Sequence, residues 1–184
     1  MHPSLKVDGP AWARTGADLV ALAGIVSFIA AFWFDGIAVA LMALVLLGLT
    51  VARVTALPAL LQILTGISLI VAAWASLLDW YVAYEWLDIV IHFAANGLLA
   101  VVVIVFMRQF GALPKKIPPV GIIVVTTALG ALLAVLWEAG EWAGHTLLND
   151  DIGVGYDDTI GDLVSGTAGS FAAGLALAWK DRRE

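Results

Sequence analysis

PPVGIIVVTTALGALLAVLWEAGEWAGHTL, residues 118–147, decides how this chain folds. From Val120 to Trp137 it carries no charged side chain, and about 20 apolar residues in a helix cross a hydrocarbon core of roughly 30 Å. It then ends on Glu138, Glu141 and His145. The stretch exceeds one crossing, so the helix is expected to tilt or to run past the core. Five further segments qualify as spans: 17–34, 36–54, 57–78, 86–107 and 158–179. The expected fold is an all-α membrane bundle of six transmembrane helices, with residues 1–184 forming a single domain. Alternation of the barrel type is absent, which argues against a β-barrel.

Composition agrees. The 184 residues are 62% hydrophobic and 13% charged, against roughly half and a quarter in soluble domains, so lipid is the natural solvent. No cysteine is present, which removes disulfides and thiolate metal sites. The net charge is −6 without a basic patch outside membrane-flanking segments, so nucleic acid is not an expected partner. Met1 to Gly16 mixes prolines and charges and shows no A-x-A cleavage site. The run that follows therefore reads as a membrane helix and not as a signal peptide.

Turn chemistry marks the breaks: Asp35-Gly36 as a tight link, Pro58 just inside the third helix, and Pro114, Pro118 and Pro119 around the fourth link. Asn149 to Asp157, with Asp150 and Asp151, is a polar loop. Basic residues set the orientation. Lys6 and Arg14 precede the first helix, Arg53 lies in the second link, Arg108, Lys115 and Lys116 lie in the fourth, and Lys180, Arg182 and Arg183 follow the last. These are all 9 Lys and Arg, and they fall on one side. The positive-inside rule then predicts a multi-pass protein of the cytoplasmic (inner) membrane with both termini cytoplasmic. Trp33, Trp80, Tyr81, Tyr84, Trp86 and Trp179 fall at interface depth, as anchors do.

The acids gather in the outer half, several inside helices, where each ionisable group costs roughly 2.5–3.5 kcal/mol. Asp88, His92 and Asn96 share one face of the fourth helix. Glu138, Glu141 and His145 fall within roughly 60° on the fifth, and Asp158 and Asp162 lie one turn apart on the sixth. Three helices thus offer carboxylates and imidazoles at one depth. Small residues allow close approach: Gly140 and Gly144 on the fifth helix, and the ridges Gly161, Ser165, Gly169 and Gly166, Ser170, Gly174 on the sixth.

Carboxylates with histidine and no thiolate suit zinc, manganese or iron. The expected metal ligands are His92, Glu138, Glu141 and Asp162. Asp88, Asp158, His145 and Asn96 are additional or supporting groups. Glu138 and Glu141 are the expected catalytic carboxylates, because a metal-activated water needs a general base. Simpler roles compete: an interior hydrogen-bonded His92, solvated Asp150, Asp151 and Asp157, and an Asp158 that only caps its helix.

These residues also carry a family resemblance. Asp88-x-x-x-His92-Phe93, Glu138-x-x-Glu141-Trp142 and Asp158-Thr159-x-x-Asp162, in that order on consecutive helices, resemble the bacterial inner-membrane family typified by YjdF. The first element alone resembles VanZ-like membrane proteins. The resemblance covers the C-terminal half, and His145 is not part of its pattern. It implies a membrane fold and marks Asp88, His92, Glu138, Glu141, Trp142, Asp158, Thr159 and Asp162, and it brings no assigned reaction.

Three functions compete. One is a membrane metalloprotein, a hydrolase of a lipid or lipid-linked substrate. It lacks H-E-x-x-H and G-x-S-x-G signatures. The second is an ion or small-solute transporter, which needs polar groups further in. There only Thr126, Thr127, Ser165, Thr167 and Ser170 remain, and an oligomer would have to complete a path. The third is a scaffold or accessory protein whose polar network locks packing.

Overall fold

Asp35 opens the second helix. Its carboxylate accepts a 2.8 Å hydrogen bond from the Ala38 N–H, one of the first-turn amides that otherwise lack a partner. The computed structural model describes residues 7–55, 57–150 and 152–183. Its helices are α1 (Ala11–Ala31), α2 (Gly36–Val54), α3 (Ala59–Leu77), α4 (Trp80–Ala83), α5 (Glu85–Gln109), α6 (Pro119–Leu147) and α7 (Tyr156–Asp181), with no strand among the described residues. All but α4 are long and apolar enough to cross a membrane. Large apolar side chains stay exposed along them, among them Leu22 on α1, Leu47 on α2, Leu60 on α3, Ile89 on α5, Leu132 on α6 and Leu175 on α7. Such a surface is stable against lipid and not against water.

The ends differ from the sequence expectation in physically instructive ways. The first helix starts at Ala11 and not near 17, because Pro10 stands at its N-cap with φ −64°. Arg14 therefore lies inside α1, near its start, where hydropathy alone had left it outside. Pro58 caps α3 from just outside the helix. The one-turn α4 was not expected. It follows Asp79, whose φ of 54° is left-handed and turns the chain between two spans. Asp158 is not a cap: Gly155 holds that position, and Asp158 sits in the first turn of α7. Lys6 and Asp151 lie outside the described residues.

The chain forms two compact units. The first comprises the described part of Met1–Tyr84 with Val105–Leu113. Ala31, Ala38, Met42, Val45 and Ala73 form its core, with Phe28, Leu69 and Trp74 packed on it. Several of its polar groups pair internally. Trp74 Nε1 donates to Ser27 Oγ at 3.0 Å, Arg53 forms an ion pair with Asp18, and Gln109 Nε2 donates to the Val54 carbonyl at 3.1 Å.

The second unit comprises Glu85–Ile104 and Pro114–Glu184, that is, most of α5 together with α6 and α7. Small residues set its packing. A Cβ on Gly97 would lie 2.8 Å from the Gly169 carbonyl oxygen, and one on Gly169 would collide with the Phe93 backbone. A Cβ on Gly166 would meet Asn96 Nδ2 at 2.6 Å, and one on Gly174 would meet Ile123 Cα at 3.0 Å. Gly169 of the one expected ridge and Gly166 and Gly174 of the other thus pack closely. Gly140 and Gly161 do not take part: nothing lies within 4 Å of a Cβ at either. Gly144 packs against Ile152 of the following loop and not against a helix. Gly97, outside the expected small-residue ridges, takes their place.

Ser165 Oγ ties α7 to α5 by donating to the Ile89 carbonyl at 2.5 Å. Thr126, Thr127 and Ser170 instead donate to carbonyls one turn back on their own helices, at 2.7, 2.8 and 2.9 Å. Gly169→Val is expected to destabilise the protein by about 1–3 kcal/mol through overpacking, read as a lowered Tm in detergent. Gly161→Val, which meets open space, should leave the Tm within error of wild type.

Candidate metal centre

The α5–α7 approach carries Asp88 and His92 to Asp162. On α5 the two residues are one turn apart, so both side chains leave the same face. His92 Nε2 lies 3.4 Å from Asp88 Oδ1 and 3.7 Å from Asp162 Oδ2. One ligand atom from each of the three residues falls within 4.8 Å of the others. Metal–ligand lengths of about 2.0–2.2 Å put tetrahedral ligand atoms roughly 3.3–3.6 Å apart, which the two measured separations approach. Asp162 is 4% exposed and His92 9%, so water does little to offset their charges.

Around this trio stand three more carboxylates. Glu138 and Glu141 on α6 are half-buried, and Asp158 is exposed. Glu141 interacts electrostatically with Glu138, Asp162, Asp88 and Asp158. Glu138 accepts a hydrogen bond from Thr159, while its Oε1 is buried without a partner. His92 Nδ1 and Trp137 Nε1 are likewise buried and unpartnered. Such atoms are rare in native proteins, and all three belong to the segments that carry the cluster. No Lys or Arg occurs from residue 54 to 107 or from 117 to 179, so in its own helices the cluster has no basic neighbour. Five carboxylates around one imidazole repel one another unless a cation or protons neutralise them. The donor set, oxygen-rich with one nitrogen, fits a divalent first-row ion.

The expected residues separate into groups. Asp88, His92 and Asp162 come together as a trio of donors, and Asp88 is as close to His92 as Asp162 is. Glu138, Glu141 and Asp158 surround it. Asn96 is turned to packing: its Nδ2 donates to the His92 carbonyl at 3.1 Å and lies against Gly166. His145, in the last turn of α6, turns to the loop. Its Nδ1 is 2.7 Å from the Ile152 carbonyl oxygen, beside the packing of Ile152 on Gly144. Two positions escaped the sequence reading. In the sequence Thr159 stands out only as part of a motif, and Trp137 only as the end of an uncharged run. The pairing of Trp137 directly before Glu138 was the available signal.

His145→Ala should loosen the α6–α7 loop. Limited proteolysis of the detergent-solubilised protein is expected to cut within residues 148–155 faster than in wild type, with the Tm little changed. Unchanged cleavage would show that the imidazole does not hold the loop.

Comparison with known proteins adds the context. The family model described as "Predicted membrane protein (DUF2238)" matches residues 14–183. No curated protein and no solved structure matches the chain.

Proposed function

The chain belongs to the DUF2238 family of predicted membrane proteins, and from that premise we propose a membrane-embedded metalloprotein with a divalent-cation site at Asp88, His92 and Asp162. The observation that carries the reading is the convergence of five carboxylates on one buried imidazole without a basic side chain in the same helices. A cluster of that charge, partly buried among apolar helices, is costly, and a divalent ion offsets it most directly. Zinc, manganese and iron suit the donors.

The protein resides in the cytoplasmic membrane with both termini cytoplasmic, which the one-sided placement of all 9 Lys and Arg supports. The cluster then opens toward the outer leaflet. Exposed Trp86, Trp142 and Tyr156 on the same helices support a position near the lipid headgroups. The three motifs support identity with the inner-membrane family typified by YjdF.

The chemistry that fits is hydrolysis of a lipid or lipid-linked substrate. A bound divalent ion would supply Lewis-acid activation of a water. Glu138, with Oε1 free of hydrogen bonds, would take the proton as general base, and Glu141 would hold a second negative charge beside it. Asp88 and Asp162 would flank the His92 ring on its Nε2 side. The satisfied hydroxyls of Thr126, Thr127 and Ser170 support a one-sided site over a transport path.

Elemental analysis of the detergent-purified protein tests the reading. Wild type is expected to carry close to one divalent ion per chain, and His92→Ala and Asp162→Asn to lose it while keeping their helical circular dichroism. A wild type that stays metal-free after incubation with zinc, manganese and ferrous ions would leave the cluster as a protonated packing network. Saturating the stripped protein with the ion at about 100 times its Kd should add roughly 2.7 kcal/mol of stability, seen as a raised Tm that His92→Ala does not show. In a screen of lipid substrates, Glu138→Gln is expected to retain the ion and lose turnover by roughly 10²–10⁴-fold.

A further inference from the structure

A second polar site lies at the opposite end of the same unit. Lys115, Lys116, Ile117 and Pro119, from the segment entering α6, and Asp181 and Arg182, at the end of α7, line a cavity of about 330 Å³. At about 1.5 Å per residue, Pro119 lies roughly 28 Å along α6 from Glu138, and Asp181 a similar distance along α7 from Asp162. That is nearly the thickness of a hydrocarbon core. A membrane that meets the acidic cluster at one interface therefore meets this cavity at the other. Trp179, 59% exposed, marks the same level, with the Arg183 guanidinium 3.5 Å above its ring.

The charge of the cavity is one-sided. Lys115, Lys116 and Arg182 are exposed at its wall. Asp181 is the one acid there, and its side chain is half-buried and already engaged in an interaction. Three cations against one carboxylate leave an excess of two positive charges. The start of α6 adds the positive end of its dipole to the same field. Ile117 and Pro119 give the cavity an apolar side, so an occupant with both an anionic and an aliphatic part would satisfy both walls. Arg and Lys around a concave space bind phosphate oxygens, Arg through its planar fork and Lys as a point charge.

We propose that this cavity binds a phosphate-bearing anion, supplied by an anionic phospholipid headgroup or by a soluble phosphate. The proposal rests on the second unit alone and is independent of the metal reading.

Native mass spectrometry of the full chain released from detergent, titrated with phosphatidylglycerol and separately with phosphatidylcholine, tests it. Phosphatidylglycerol is expected to bind at least tenfold more tightly. A Lys115→Gln/Lys116→Gln variant and an Arg182→Gln variant should each reduce that preference, by about fivefold per charge removed. Their Tm in phosphatidylcholine should match wild type, since all three side chains are exposed. Competition by inorganic phosphate at millimolar concentration would identify a headgroup-independent phosphate site. Binding that phosphate does not displace would identify the lipid as the source. Equal binding of the two lipids together with no phosphate binding, or a preference that survives in both variants, would overturn the proposal.

Discussion

The approach of α5 to α7 is the contact on which the candidate centre depends. Where Gly97 faces Gly169, and Gly169 faces the Phe93 carbonyl, two backbones come closer than any side chain would allow. One turn from Phe93 toward the start of α5 stands Asp88, with His92 between them. Two turns from Gly169 toward the start of α7 stands Asp162. Without that approach the imidazole and the Asp162 carboxylate would belong to separate surfaces. Packing between membrane helices gains little from hydrophobicity, since lipid is as apolar as the side chains. Close van der Waals contact and the Ser165–Ile89 hydrogen bond take its place.

Electrostatics works against the same packing. Glycine and serine draw the helices together while the acids on them repel. Five carboxylates that share one depth in a lipid-facing unit form an unstable arrangement unless positive charge joins them. The unpartnered Glu138 Oε1 and His92 Nδ1 express the same tension at the level of single atoms. In the first unit acids meet partners instead: Asp18 has Arg53, and Asp35 caps a helix. The two units thus use charge differently, one for closure of a fold and one for a concentrated field.

Much of this was legible in the sequence, for physical reasons that also explain the failures. Hydropathy fixes the number of spans because a lipid core tolerates no uncapped backbone, so all six long helices appear where apolar runs occur. It does not fix their ends. Ala11–Gly16 is helical because Pro10 starts a turn, and a turn of α-helix needs no hydrophobicity. The one-turn α4 depends on a left-handed Asp79, which no hydropathy profile senses. For the site, helical period placed Asp88, His92, Glu138, Glu141 and Asp162 on converging faces. Which of them touch depends on helix rotation, and rotation was set by Gly97, outside the small-residue ridges that spacing picked out. His145 followed the right period, but its ring turned to the loop carbonyl of Ile152, a contact that depends on how the chain leaves the helix.

The inward-lying hydroxyls of the second unit lead to a kinetic conclusion. Thr126, Thr127 and Ser170 each donate to a carbonyl of their own helix, so none of the three points its proton toward the cluster. On the proposed one-sided reading, the acidic cluster is a cul-de-sac within that unit. Whatever enters it must retreat by the mouth it came through, and any two occupants compete for one doorway. On that same reading, a reagent confined to that side of the membrane would reach the cluster, and the same reagent confined to the other side would not.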